Sequence, residues 1–289
     1  MYPYGPWIEQ LPSGYVPRQQ WPEYDITTTL LPRAHPRYVG SGTRWGMWPL
    51  YFEEYVQQAE PVLSPQRKDP ARIVIWQRVV PLGRCIGWTQ FSFKPAKLEG
   101  FSMLEPGMPY EKTWSESARR YLKKWRTQYA GTQYVIEPIT YEEFAETYKD
   151  GTVYKHAQEY QLRVVKALLG SPKSRQHTTL WGARRLDIGK IDATLVVVSS
   201  PSTHSSYYQA ACIRRNIADA PLMIGLMDHW HAYAVTNGIK FLHFGGFWKP
   251  GDPKQWKGFS LFKSKFNPQY IAYPPALFRF AKGTILRRT

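Results

Sequence analysis

The residues best suited to chemistry lie near the C-terminus. Lys240 to Gly246 reads Lys-Phe-Leu-His-Phe-Gly-Gly, and ten residues later Lys257 to Pro268 reads Lys-Gly-Phe-Ser-Leu-Phe-Lys-Ser-Lys-Phe-Asn-Pro. A short apolar run stops at a double glycine, and a compact basic segment follows that carries Phe262-Lys263 and Lys265-Phe266. Lysines at i and i+2 between aromatics suit a sharp backbone turn where fixed positive charge meets an anion. The same segment also reads as a solvated basic helix whose core stripe is Phe262 and Phe266, four positions apart. Asp228-His-Trp-His231, with His243, invites a metal ion. On a helix, however, His229 and His231 project about 200° apart, so no shared ion and no metal cofactor are expected. Neither a Gly-x-Ser-x-Gly elbow, nor a Walker A loop, nor a dinucleotide Gly-x-Gly-x-x-Gly stands in suitable context.

Charge narrows the partners of such a site. Of 289 residues, 38 are Lys or Arg and 22 are Asp or Glu, a net charge of +16. That surplus attracts polyanions: tRNA or other nucleic acid, nucleotide diphosphates, or an anionic membrane surface. The two cysteines, Cys85 and Cys212, make neither a disulfide framework nor a cysteine-based zinc site. A reducing compartment is the simpler inference. No apolar run approaches the roughly 18 residues of a spanning helix, and Met-Tyr-Pro-Tyr-Gly-Pro-Trp lacks the regions of a signal peptide. The expected location is cytoplasmic.

The elements that must position these residues follow from periodicity. Residues 1–50 carry eight of the 24 prolines, among many aromatics. They read as an extended arm on the main body or as a linker, with a short helix at Trp48–Ala59. Two β runs follow, over 72–80 and 85–93. Ser115 caps a basic helix with Ala118, Tyr121, Leu122 and Trp125 as its buried stripe and Arg119, Arg120, Lys123, Lys124 and Arg126 on the remaining surface. Then come a strand at Gln133–Glu137, one or two helices from Tyr141 to Leu169, and a hairpin of Thr178–Arg185 with Ile191–Ser200. A strand at Tyr207–Ile213 precedes a helix at Pro221–Asn237, which Pro221 starts, Gly238 ends and Met223, Met227, Trp230 and Ala234 anchor. Lys240–Gly245 is a strand, Gly258–Phe266 a short helix, and Gln269–Phe280 one or two strands.

Three consecutive antiparallel strands, then a helix and another strand, resemble the GCN5-related N-acetyltransferase (GNAT) fold. From about Trp114 onward the chain is similar to the Fem-type branch, the peptidoglycan aminoacyltransferases and their relatives. The pieces are Ser117 to Arg120 with Lys123-Lys124, Tyr141 to Phe144, Ile191 to Leu195, Tyr207 to Ala211, Ala234 to Gly238, Phe244 to Gly246 and, most distinctive, Gly258 to Phe266. The resemblance implies an α+β class, with a mixed, mostly antiparallel central sheet flanked by helices. It also implies transfer of an acyl group to an amine from acyl-CoA or aminoacyl-tRNA. Phe262 and Lys263 would lie beside the channel where donor and acceptor meet, the lysine holding a donor phosphate or the developing oxyanion, the ring ordering an adenine. Gly258 and Lys265 would help hold the donor.

Coenzyme A-dependent members often carry Gln/Arg-x-x-Gly-x-Gly/Ala before the next helix, where backbone N–H groups cradle pyrophosphate. Here that place reads Arg215-Asn-Ile-Ala-Asp-Ala220, with alanines where glycine is wanted. Arg214 and Arg215 remain able to clamp a phosphate, or form an exposed charged loop. His243, Tyr208 and Asp228 are candidate bases for the amine, although His243 also reads as a hydrogen-bonded sheet histidine. Arg119, Arg120 and Lys123 offer an anionic substrate a landing surface. The expected domains are an arm at 1–70, a β-containing segment at 71–104 that is a shortened first GNAT half, and an acyltransferase domain at 105–289. A basic nucleic-acid-binding protein on a degenerate transferase fold is the alternative.

Overall fold

The computed structural model describes residues 7–8, 11–16, 18, 21–23, 33–34, 51–56, 72–77, 86–90, 98–153, 155–215, 217, 220–250, 252, 254–274 and 277–281. Its strands in chain order are β1 (Trp7–Ile8), β2 (Arg33–Ala34), β3 (Tyr51–Val56), β4 (Arg72–Gln77), β5 (Thr89–Gln90), β6 (Leu98–Met103), β7 (Tyr134–Pro138), β8 (Thr178–Arg185), β9 (Ile191–Ser200), β10 (Ser205–Ile213), β11 (Phe241–Gly246), β12 (Gln269–Ala272) and β13 (Leu277–Ala281). The helices are α1 (Glu116–Lys124), α2 (Tyr141–Lys149), α3 (Lys155–Gly170), α4 (Pro172–Arg175), α5 (Leu222–Thr236) and α6 (Lys257–Ser264).

Two compact units result. The first comprises 1–26 with 99–271, and the second 27–98 with 272–289. The larger unit is an eight-stranded sheet in the order β1-β12-β6-β11-β10-β9-β8-β7. The pairs β7–β8, β8–β9, β9–β10 and β6–β11 are antiparallel, whereas β10–β11 and β1–β12 are parallel. All ten residues of β9 are buried, as befits a central strand covered on both faces. Leu180, Val196, Ala210 and Cys212 meet Phe144 and Tyr148 of α2 and Val165 of α3. On the opposite face, Trp181 meets His229 and Tyr233 of α5, and Trp230 donates its Nε1–H to Ser206 at 2.9 Å.

Local chemistry sets the helix limits. Ser115 accepts from the Ala118 N–H at 3.3 Å and starts α1, while Thr140 and Glu143 form a reciprocal capping box on α2. Gly238 at φ +66° ends α5. Within the stripe expected for α1, Ala118, Leu122 and Trp125 are buried, but Tyr121 is 38% exposed. Its ring lies beneath the cations of Arg120 and Lys265, at 5.6 and 5.4 Å.

The smaller unit is a five-stranded sheet, β2-β3-β4-β13-β5, with β3 and β4 parallel. The helix expected at Trp48–Ala59 is absent over Tyr51–Val56, which is a strand hydrogen-bonded to both β2 and β4. Of the β runs expected over 72–80 and 85–93, the structure shows Arg72–Gln77 as β4 and Thr89–Gln90 as β5, both paired with β13; residues 86–88 are not strand, and the rest of the two runs lies outside the described residues.

Candidate active site

The sheet opens between β10 and β11. These strands pair over only three positions, Ser205–Phe241, Ser206–Leu242 and Tyr207–His243. Immediately beyond, each carries an irregularity: the β9–β10 register shifts around Gln209, and the β11–β6 register shifts around Phe244. An extra residue bends its strand and leaves backbone groups outside the ladder, so two bulges side by side part the strands.

Lys263 of α6 fills this opening from the α5 side. Its ammonium donates to the Phe244 carbonyl at 2.6 Å, and the side chain is only 7% exposed. Three rings surround the nitrogen: Tyr208 at 4.8 Å, Phe259 at 5.0 Å and Phe247 at 5.8 Å. Burial lowers its pKa to about 7; Glu99 opposes the fall and Arg18 adds to it. A lysine in this state gains or loses its proton when an anion enters or leaves. Phe262 packs edge-on against buried Phe266 at 5.2 Å, and Phe266 in turn meets Trp114 and Phe244. That aromatic stack fixes the angle at which α6 presents Lys263.

From the other face, the described residues 11–16, 18 and 21–23 lie against the sheet as a strap. Tyr15 stacks on His243 at 4.7 Å and meets Phe241, while Trp21 is edge-on to His243 at 5.1 Å. Glu23 anchors the strap by accepting from the Ser200 hydroxyl at 2.7 Å. The Arg18 guanidinium lies 3.7 Å from the centre of the Tyr207 ring. Tyr207 itself reaches across to β11, where a Cβ on Gly245 would sit 2.6 Å from its hydroxyl. Gly245 also has φ +70°, so two independent constraints select glycine there.

His243 is therefore enclosed rather than poised at a surface. It is 2% exposed, its Nε2 has no hydrogen-bond partner among the described residues, and burial with the nearby Arg18 charge lowers its pKa to about 3. Tyr208 also lies in the opening, its hydroxyl held protonated well above the ordinary range, first by burial and then by Cys212 and Tyr207. Asp228 lies elsewhere: it accepts from Tyr110 and pairs with Arg126, both at 2.6 Å. Sequence reasoning missed Arg18, Tyr207 and Glu99. Tyr207 stands in the quoted Tyr207 to Ala211 segment beside Tyr208, whereas the signal for Arg18 and Glu99 is three-dimensional, since the strap and β6 are distant in sequence from β10 and α6.

At the far end of β10, Arg214 and Arg215 differ sharply. Arg214 is 6% exposed; it donates to the Ile191 carbonyl at 2.6 Å, pairs with Glu146 at 2.7 Å and also pairs with Asp150. Arg215 is exposed; its side chain donates to the Gly151 carbonyl at 3.2 Å and its backbone N–H to the Asp150 carbonyl at 3.1 Å. It borders a cleft of about 450 Å³ also lined by Lys149, Arg185, Lys190 and Asp192. Arg185 is paired with Asp192 at 2.5 Å, whereas Lys149, Lys190 and Arg215 have no ion pair among the described residues. Asp219 of the neighbouring loop lies outside the described residues.

The remaining expected residues sit on the surface. Gly258 is exposed, and a methyl group added there would have nothing within 4 Å. Lys265 meets Tyr121, and its carbonyl accepts from the Ser115 N–H at 2.8 Å. Arg119 donates to the Trp114 and Lys112 carbonyls at 2.7 and 3.1 Å, closing the turn before α1, while Arg120 and Lys123 are exposed. Among the described residues no cluster of three His, Cys, Asp or Glu can hold a metal ion, and no helix is long and apolar enough to cross a membrane.

No protein-family model matches the chain, and no curated protein matches it. Solved structures do. The chain is similar to FemX, with a TM-score of 0.55 over 72% of each chain at 10% identity. It is also similar to L-PGS from Bacillus licheniformis (TM-score 0.41, 13% identity, 71% of this chain and 67% of that one). A tandem GNAT protein from the clavulanic acid biosynthesis pathway gives a TM-score of 0.45 at 11% identity, over 73% of this chain and 64% of that one. The fold assignment rests on the first. The larger unit has the GNAT fold in the form seen in FemX, as the order of motifs led one to expect.

Proposed function

We propose that this protein is an N-acyltransferase. It takes an acyl or aminoacyl group from acyl-CoA or aminoacyl-tRNA and passes it to an amine. The observation that carries the reading is the opening between β10 and β11 with Lys263 buried in it. Parted strands leave unpaired backbone donors along a slot into which a slender acyl chain can be threaded. A protonated Lys263 beside the slot stabilises the oxyanion formed when the acyl carbonyl is attacked, in a site from which water is largely excluded.

Phe262 orients Lys263 through Phe266. Tyr208 shapes the slot, and His243, held neutral, is available only as a weak base. Arg214 stands six positions beyond Tyr208 along β10 and its end, about 20 Å at ordinary strand rise. A donor with its carbonyl at Lys263 and its phosphate at Arg215 must therefore be an extended molecule. Arg214 acts there by holding α2 and β9 together beneath Arg215. Gly258 and Lys265 border the donor on α6, and Arg119, Arg120 and Lys123 draw in anionic substrate. In this reading the chemistry lies within 105–289, the 1–70 arm contributes Arg18, and 71–104 is the remnant of a first half.

The test is calorimetric titration with acetyl-CoA and, separately, with charged and uncharged tRNA. Saturable acetyl-CoA binding that disappears in Lys263→Ala or Arg215→Ala supports the thioester donor. Binding confined to charged tRNA supports the aminoacyl donor. Equal affinity for both tRNA forms, with no coenzyme A binding, overturns the enzyme in favour of a nucleic-acid-binding protein.

A further inference from the structure

Lys263 has a second chemical identity. The reaction proposed above acylates primary amines, and Lys263 is itself a primary amine at the opening. Its surroundings are unusual for a lysine: a single carbonyl acceptor, three aromatic rings, and no carboxylate in ion-pair contact among the described residues. The carbonyl contact engages one N–H and leaves the rest of the nitrogen directed among the rings. An ordinary structural lysine would have its head in water or on a carboxylate.

We propose that Lys263 is an acylation site of the enzyme itself: when no amine substrate is present, its Nζ takes the acyl group from the donor bound between β10 and β11. The inference rests on the acyltransferase reading and adds a second fate for the bound donor. The balance is simple. The nitrogen lone pair attacks the carbonyl carbon and a C–N bond forms. The C–S bond of a thioester, or the C–O bond of an aminoacyl ester, breaks. The leaving sulfur or oxygen departs with the bonding electrons, and the proton shed by nitrogen ends on it. No oxidant or reductant enters. The product amide keeps one N–H, enough to preserve the contact with the Phe244 carbonyl, but it has lost its positive charge and no longer transfers its acyl group. Self-acylation is therefore a brake: donor without acceptor switches the molecule off.

Protonation decides between the two roles. The titratable and charged groups facing Nζ are Glu99 on β6, Arg18 on the strap and the phenol of Tyr208 on β10. β11 offers the Phe244 carbonyl and a neutral His243, and α6 offers Phe259. With its pKa near 7, the lysine is a cation in mild acid and a nucleophile above neutrality.

The experiment treats the full chain with acetyl-CoA, and in parallel with an aryl acetate that needs no coenzyme site, at pH 6, 7 and 8.5. Peptide mass spectrometry then locates the acetyl groups, and calorimetry reports acetyl-CoA binding. The expected result is one dominant acetyl on Lys263 from both reagents. Its rate should rise about fivefold from pH 6 to 7 and about twofold more before levelling off by pH 8.5, as titration near 7 requires. Lys263→Arg, which retains the charge, should lose that adduct alone. Aryl acetate labelling of Lys263 without acetyl-CoA binding still supports a reactive lysine and moves the donor to aminoacyl-tRNA. Acetyl-CoA binding with an unmodified Lys263 overturns the inference and leaves the acyltransferase reading standing. Failure of both reagents to mark Lys263 faster than the exposed lysines also overturns it.

Discussion

Lys263 couples the stability of the fold to pH. In the folded chain its amine titrates near 7, against 10.5 for a free lysine. Between those values the unfolded chain holds a proton that the folded chain has released, so stability rises with pH from 7 towards 10. Below pH 7 both states are protonated and the cost of burying the charge is present in full. Lys263→Met keeps the side-chain volume and removes the titration. Urea unfolding at pH 7 and pH 9 should then show the parent gaining on the order of 2 kcal/mol over those two units, with the variant gaining much less. Identical gains would mean that the lysine is not buried. At this scale the sequence is partly legible. The pair Phe262-Lys263 stands out because an aromatic beside a lysine in a glycine-flanked basic segment is a local pattern. Arg18 and Glu99 are not legible, since each reaches the opening by a fold-level crossing that leaves no trace among its sequence neighbours. Arg214 and Arg215 look alike as adjacent residues, yet one is a buried tie and the other an exposed donor. Only the carboxylates of Glu146 and Asp150 separate them.

The element that makes the site is a junction of two bulged strands, held open by Gly245 and Tyr207. Gly245→Ala faces two penalties. A left-handed backbone costs a non-glycine residue about 1–2 kcal/mol, and the new methyl meets the Tyr207 hydroxyl. Tyr207→Phe removes only the second. Thermal denaturation of the two single variants and the double should show the double variant more stable than Gly245→Ala alone, yet less stable than Tyr207→Phe. If the double recovers fully, backbone strain at 245 contributes nothing. Regular elements are the most legible part of the chain. The hairpin of Thr178–Arg185 and Ile191–Ser200 has the bounds that alternation and turn chemistry predict. The short helix expected at Trp48–Ala59 gives way to strand over Tyr51–Val56. Pairing with β2 and β4 overrides that local preference. The bulges at Gln209 and Phe244 are invisible in sequence, since a bulge is defined by the neighbouring strand.

For the whole molecule, the surplus of positive charge sets how partners arrive. Attraction of a charged donor is screened over about 8 Å at physiological salt. If Lys149, Lys190 and Arg215 engage three phosphates, raising salt from about 50 to about 200 mM should weaken tRNA binding by tens of fold. Replacing Lys149 and Lys190 together by Ala should flatten that dependence. An unchanged slope would place the anion elsewhere on the surface. The overall class is readable because the order of strands and helices survives uncertainty in any one boundary, whereas the division into units is not. The strap joins the sheet through partners such as Ser200, 177 positions from Glu23. This separation also bears on assembly. The strap is the first part of the site to be synthesised, but its resting places on Tyr207 and His243 come much later. Docking of the strap must therefore be a late event, so a nascent chain passes through a stage in which the slot exists with its strap face bare and Arg18 still in water.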